Sequence, residues 1–276
     1  MTQTASGRPV RGEIRATQAL SSSKLSDYVV NPYLGCSHGC KYCYVQRYFR
    51  SRVTPPAPWG DETYARINIG DLARRETRTK SPGRVLLSSM CDAYQPMESR
   101  YRLTRSVLEC LIEGRFPISV LTKSSLVLRD IDILAEGEAT EVTFSVSSLD
   151  PKIHRAFEPR ATPPNGRLEA LRAVLDSGVK GGLFVAPHIP SADSFDSQYM
   201  LLFERVVEFG LKELTFDSLN YSSVMKRAIM RTYESEYPQG KGSFVRLLED
   251  PGAYDRMWRG EVQRLAARFD LKVTFV

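Results

Sequence analysis

Residues 35–44, Gly-Cys-Ser-His-Gly-Cys-Lys-Tyr-Cys-Tyr, place Cys36, Cys40 and Cys43 in a C-x3-C-x2-C array. Thiolates this close together on one loop suit zinc or an iron–sulfur cluster. A structural zinc site takes four protein ligands, often as paired C-x2-C units. Here one such pair has a third cysteine upstream, His38 lies within the loop as a candidate fourth ligand, and no second pair follows. Three thiolates fit a [4Fe–4S] cluster better. Its fourth iron then stays free to chelate a small ligand, and Gly35 and Gly39 let the backbone wrap closely round an inorganic core.

Such a loop needs a frame. Residues 27–34 read as a short strand leading into it, and 41–52 as a helix after it, broken by Pro55, Pro56 and Pro58. Strands are then expected at 65–68, 84–88, 118–121, 141–146, 180–186 and 214–217, with a last one at 271–276. Helical patterns fall between them at 70–76, 99–113, 126–135, 166–177 and 195–209, and later at 221–235 and 252–269. This alternation indicates parallel βαβ units, about six of them, too few for an eight-fold barrel. The expected fold is α/β, a partial (β/α)6 TIM-type barrel. Residues 1–26 read as a poorly packed N-terminal arm, 27–220 as the barrel, and 221–276 as a C-terminal extension packing on it.

The expected strand ends are polar: Ser88-Ser89-Met90-Cys91-Asp92, Thr122-Lys123-Ser124, Ser145-Val146-Ser147-Ser148, Pro187-His188 and Asp217-Ser218. In parallel α/β folds that edge carries the chemistry, and the cysteine loop follows the first main strand to the same edge. His188 is expected to face the cavity and His154 the surface, while Cys110, among Leu108, Leu111 and Ile112, reads as core.

Composition narrows the setting. The 276 residues are 42% hydrophobic and 25% charged, ordinary for a soluble globular chain. No apolar run reaches the roughly 18 residues of a membrane span, and the polar start lacks a secretory h-region. Clustered cysteines in a chain of this kind point to ligation in a reducing, cytoplasmic compartment. A net charge of +6 favours anionic partners. Residues 221–237 mix Lys226, Arg227 and Arg231 with Tyr221, Tyr233 and Tyr237, a combination that suits a backbone with stacked bases or, more simply, an ordinary amphipathic helix.

The array, with Tyr42 just before its last cysteine, resembles the signature of the radical S-adenosylmethionine enzymes. The loop also resembles that of spore photoproduct lyase and the lyase-like group described as DNA repair photolyases. Further likeness lies in Asp92–Glu98, Leu121–Ser124, Phe144–Val146, Glu158–Arg160 with Arg167, and Val185–Pro187, over roughly residues 27–220. The resemblance implies that Cys36, Cys40 and Cys43 ligate a [4Fe–4S] cluster whose open iron binds the amino and carboxylate groups of S-adenosyl-L-methionine. Lys123 and Ser145 match positions used on that cofactor, as an ammonium and a hydroxyl at strand ends suggest. Arg160 is a second partner for its carboxylate, and Tyr42, Ser89 and Asp92 complete the expected cofactor site. Tyr44 matches a tyrosine of radical transfer. The family's hydrogen-donating cysteine aligns with Ser89, and Cys91 lies two residues on, on the same face if the strand continues; Tyr44 and Cys91 are therefore the catalytic candidates.

The implied activity is reductive cleavage of S-adenosylmethionine to a 5′-deoxyadenosyl radical that abstracts hydrogen from a nucleic acid or nucleoside. An external donor of flavodoxin or ferredoxin type would supply the electron. A second reading keeps the cofactors and takes a small metabolite or peptide as substrate. A third is a non-enzymatic, zinc- or cluster-stabilised module that binds nucleic acid.

Overall fold

The computed structural model describes residues 10–276. In chain order the strands and helices of the first half are β1 (Val10–Ile14), β2 (Ser21–Ser22), β3 (Tyr28–Val30), β4 (Tyr33–Leu34), β5 (Glu62–Arg66), α1 (Ile69–Glu76), β6 (Val85–Leu87), α2 (Glu98–Tyr101), α3 (Leu103–Glu113), β7 (Ile118–Thr122), α4 (Ile131–Glu136) and β8 (Thr140–Ser145). The second half adds α5 (Pro151–Phe157), α6 (Pro164–Asp176), β9 (Lys180–Val185), α7 (Phe195–Glu208), β10 (Glu213–Phe216), α8 (Ser223–Ser235), α9 (Lys241–Glu249), α10 (Pro251–Ala267) and β11 (Lys272–Phe275).

The main sheet runs β11-β10-β9-β8-β7-β6-β3-β2. Neighbours from β3 to β11 pair in parallel, and only β2 joins antiparallel at the edge. Order along the sheet follows order in the chain, as successive right-handed βα crossovers require. This is the expected α/β partial barrel of six βα strands, β3 and β6–β10, with β11 as a further parallel strand. Alternation fixes which face turns inward: Ile118, Val120 and Thr122 of β7, and Thr140, Val142 and Phe144 of β8, are buried while Ser119, Leu121, Glu141 and Thr143 between them are half-buried. A smaller sheet, β1-β5-β4, flanks the main one and carries the chain into the cysteine loop.

Several elements depart from the sequence expectation. The helix expected at 41–52 is only a 3-10 turn, Tyr44–Arg47, because the Gln46 and Glu62 side chains bond backbone groups on either side of it and the Lys41 amide bonds to Phe157. The helix expected at 99–113 breaks at Arg102, whose φ of 52° is left-handed. Glu98 forms the break's hinge, its carboxylate accepting the Thr104 amide at 3.0 Å and so capping the start of α3. The helices α5 and α9 were absent from the expectation. The first begins with Pro151 after Asp150, which accepts the Lys152 amide at 2.7 Å.

Of the expected arm, residues 1–9 lie outside the described residues. The rest is tied down: β1 pairs with β5 along Val10–Ile14, and the Ala19 and Leu20 amides donate to Glu76 at 2.8 and 2.9 Å. The C-terminal segment extends the main sheet through β11, in register with β10. Among the described residues, no helix is long and apolar enough to cross a membrane.

Candidate functional site

The cysteine loop leaves β4 at Gly35, whose φ of 78° only glycine adopts freely. Gln95 clamps it from the β6 side: its Oε1 accepts the Ser37 amide at 2.8 Å, and its Nε2 donates to the Gly35 carbonyl at 3.1 Å. The Lys41 amide donates to the Phe157 carbonyl at 2.9 Å, which ties the loop's far side to α5. Gly39, at φ 65°, lies so close to the Arg160 guanidinium that a Cβ would collide with it. Cys36 and Cys40 are buried and Cys43 half-buried, and none is in a disulfide. Burial pushes the Cys36 thiol well up, with Asp92 adding to the push. It pushes Cys40 up to about 12, Glu158 adding and Lys123 opposing. Metal ligation requires the thiolates, so binding a cluster here releases protons.

The donor set fits a cluster with one open iron. His38, the fourth ligand of the zinc alternative, is buried and directs Nδ1 toward Asp92 Oδ2 at 3.5 Å. Among the described residues no three Cys, His, Asp or Glu side chains gather round a single ion; a cluster takes its thiolates one to an iron.

Strand ends bring the other expected residues to this loop. Asp92, after β6, accepts the Tyr94 amide at 2.8 Å, the Thr122 hydroxyl at 2.7 Å and the Lys123 amide at 2.8 Å. It thereby locks the end of β7 to the end of β6. Lys123 Nζ donates to Ser145 Oγ at 2.7 Å and lies 5.8 Å from the Tyr42 ring centroid. Ser145 in turn donates to the Ala186 carbonyl at 3.0 Å. A cation and a hydroxyl from adjacent parallel strands thus stand together beside Cys40 and Cys43.

Tyr42 does not present its hydroxyl to this space. It donates to Glu158, a buried carboxylate that also accepts the Ser147 hydroxyl at 3.0 Å. Burial works against the Glu158 carboxylate, but the adjoining Arg167 guanidinium, His154 and Lys123 together outweigh it and hold the carboxyl well below the usual range. Arg167 is itself fully buried, donating to the Ser145 carbonyl at 2.7 Å and the Thr162 carbonyl at 2.6 Å. This pair escaped the residue-by-residue reading. Its signal lies in Glu158-Pro-Arg160 and Arg167, where the sequence alone favours Arg160 as the carboxylate partner. Arg160 instead packs over Gly39 and Gly60, is exposed on its outer side, and pairs with Asp61 at 2.7 Å.

A second group lies between β3 and β6. Asn31 Oδ1 accepts the Ser89 amide at 3.1 Å and the Met90 amide at 2.8 Å, with Cys91 Sγ at 3.8 Å. The half-exposed Tyr44 donates its hydroxyl to the Ser89 carbonyl. Tyr44, Ser89 and Cys91 are therefore together. Burial pushes the Cys91 thiol up to about 11, so it carries its proton at neutral pH.

Two expectations are corrected. His188 does not face the cavity: it stacks on Trp258, centroids 4.7 Å apart, and bonds to the Tyr199 and Tyr254 hydroxyls at 2.6 and 3.1 Å. His154 is buried 3.7 Å from Glu158 rather than at the surface, because the helix α5 turns it inward. In α8 and beyond, Tyr233 and Tyr237 are buried and bond to Pro190 and Ser191, while Lys226, Arg227 and Arg231 face outward together with Glu234 and Glu236, so the stretch is an amphipathic helix, the simpler of its two readings. Cys110 is buried, as expected.

A parallel α/β partial barrel with a three-thiol loop at the carboxyl edge of its strands defines the class. The Radical SAM superfamily model matches residues 30–192, and the chain belongs to that superfamily and is an enzyme. That membership implies S-adenosylmethionine and an iron–sulfur cluster, and it sets aside the non-enzymatic binding module. An uncharacterised protein of Methanocaldococcus jannaschii is 29% identical over 242 residues, 86% of this chain and 90% of its own length. The spore photoproduct lyase of a Geobacillus strain is 28% identical over 245 residues, 83% of this chain and 66% of the lyase. Spore photoproduct lyase solved with a dinucleoside spore photoproduct shares the fold, with a TM-score of 0.62 at 21% identity, over 96% of this chain and 82% of that one.

Proposed function

We propose that this enzyme holds a [4Fe–4S] cluster on Cys36, Cys40 and Cys43 and takes hydrogen from a nucleic-acid or nucleoside substrate. With one electron from a flavodoxin- or ferredoxin-type donor, the bound cluster and S-adenosylmethionine supply a 5′-deoxyadenosyl radical. The observation that carries the reading is the Lys123–Ser145 pair standing beside the cysteine loop. Lys123 is suited to hold the cofactor's carboxylate by a charge-assisted hydrogen bond, and Ser145, already oriented by Ala186, to hold a hydroxyl or carboxylate. Asp92 fixes the Lys123 backbone, Tyr42 walls the site with its ring, and Ser89 carries the backbone carbonyl that positions Tyr44. Arg160 acts from the outer side of the loop, packed on Gly39.

Cys91 is proposed as the hydrogen donor to the substrate radical, with Tyr44 beside it. Its raised pKa keeps the S–H bond intact for atom transfer rather than ionised. Similarity to a lyase named for a photoproduct, and the net charge of +6, support an anionic nucleoside-type substrate. The work belongs in the cytoplasm, where cysteines stay reduced.

Anaerobic reconstitution tests the cluster: 5′-deoxyadenosine forms with dithionite in the native chain and is absent in Cys36→Ala. Lys123→Met weakens S-adenosylmethionine binding roughly 10- to 100-fold, the loss of a hydrogen bond to a charged group. Deuterated oligonucleotides or nucleosides then pass label to 5′-deoxyadenosine. Label arriving only from a small metabolite or a peptide would remove nucleic acid as the substrate.

A further inference from the structure

From Lys41 to Gly60 the chain carries no Asp or Glu, yet Lys41, Arg47, Arg50 and Arg52 fall within it. The three arginines are exposed, and between them stands Tyr48, 59% exposed. Among the described residues none of the four cations forms an ion pair, in contrast to Arg105, Arg129, Arg160 and Arg167, which all do. Glu62, the buried carboxylate beside the strip's end, is occupied by the Ser51 hydroxyl, the Arg52 amide at 2.6 Å and the Tyr64 hydroxyl at 2.8 Å. Arg47 lies over the Tyr48 ring, 5.8 Å from its centroid.

This strip is anchored at the candidate site. Its start is pinned by the Tyr44 hydroxyl on the Ser89 carbonyl. A groove of about 240 Å³ runs along it, lined by Gly35, Val45, Tyr48, Arg50, Arg52 and Met90, and Met90 adjoins Cys91. Inward lies Arg66 at the end of β5, half-buried and likewise without an ion pair among the described residues. Its amide donates to the Pro32 carbonyl at 3.1 Å, next to Asn31, and its charge is felt at Cys91.

We propose that Arg47, Arg50 and Arg52, with Tyr48 among them, form a track that binds single-stranded nucleic acid and delivers a nucleotide to Tyr44 and Cys91. The inference rests on the nucleic-acid reading above and adds where the strand lies. Unpaired arginines interleaved with an exposed tyrosine match what a single strand needs: cations spaced along a backbone and a flat ring for a base. Arg66 is placed to receive the phosphate nearest the reacting nucleotide. Lys226, Arg227 and Arg231 on α8 lack this arrangement, since Tyr233 and Tyr237 turn inward.

The test is binding of a fluorescein-labelled oligothymidylate to the full chain across a salt series. Each arginine on a phosphate contributes about 0.7 to the slope of log affinity against log salt, so R47Q/R50Q lowers that slope by about 1.4. Tyr48→Ala weakens binding about tenfold, the loss of one stacked base. K226Q/R227Q, with matched charge removal on α8, leaves the slope unchanged, and circular dichroism confirms that each variant is folded. Binding that persists with an unchanged slope in R47Q/R50Q overturns the track while leaving a nucleic-acid substrate standing. No binding by the native chain, with label transfer only from a small metabolite, overturns both. If R47Q/R50Q slows cluster reduction by an acidic flavodoxin but leaves oligothymidylate binding intact, the strip serves the electron donor and the track is overturned.

Discussion

His38 and His188 are both buried, 3% and 2% exposed, and burial lowers the pKa of each, yet their surroundings have nothing in common. His38 sits in the cysteine loop among charges: Asp92 faces it, and Arg167, Lys123 and Glu158 are all felt at its ring. His188 sits after β9 in a box of rings made by Trp258, Tyr199 and Tyr254, with Phe195 beyond. One half of the barrel confines charge, and the other is filled with aromatic surface. Confined charge is costly unless fully paired, so its concentration round three thiols marks the half where chemistry is held. The second half buries a polar group just as deeply, but with neutral partners, and supports the sheet through β9, β10 and β11.

Breaking the charged half at its centre tests this contrast most severely. Arg167→Met leaves the Glu158 carboxylate buried without its cation, and removing one partner of such a pair costs about 3–5 kcal/mol. Urea midpoints read the loss, and adding Glu158→Gln recovers part of it, because the uncompensated charge is gone. A loss below about 1 kcal/mol, as for a surface ion pair, would mean that the web is not confined charge at all. Next in size is Tyr42→Phe, which removes the hydroxyl from the same carboxylate. A hydrogen bond to a charged group is worth about 1.5–3 kcal/mol, so the same urea series should register it. An unchanged midpoint would show that Ser147 and Arg167 satisfy Glu158 without the tyrosine.

The two halves also differ in how much of them could be read from the sequence. Strand-end polarity located Asp92, Lys123 and Ser145 correctly at one edge, because parallel strands must end together there. The same rule misplaced His188: a histidine after a strand is compatible with both a cavity and a ring stack. The rings that enclose it come from α7 and α10, eleven residues away at Tyr199 and sixty-six at Tyr254. Glu158 and Arg167 were visible as letters, but nothing local tells a buried ion pair from solvated helix charges. Hydrophobic period gave β6 to β11 to within about two residues, but it set β5 three residues late, merged β3 and β4 into one strand and missed β1 and β2. The helix expected at 41–52 is absent because the Gln46 and Glu62 side chains clamp backbone groups there and hold most of the segment irregular.

The aromatic half has its own signature in pH, smaller than the effects above. Burial holds the His188 pKa at about 3, against about 6.5 when unfolded. Between those values the unfolded chain binds the extra proton, so stability rises with pH across that window and is lost as pH falls below about 6.5. The limiting slope is about 1.4 kcal/mol per pH unit for one group. His188→Gln removes the titration while keeping a polar side chain. Above about pH 7 the variant is less stable than the native chain by a constant packing cost. As the pH drops from about 6.5 toward 5 the native chain loses stability that the variant keeps, and the gap between their urea midpoints narrows. His38 does not enter this difference, since it titrates alike in both. A gap that stays constant with pH would mean that His188 is free to protonate where it stands, and the aromatic half would then share the charged character of the other.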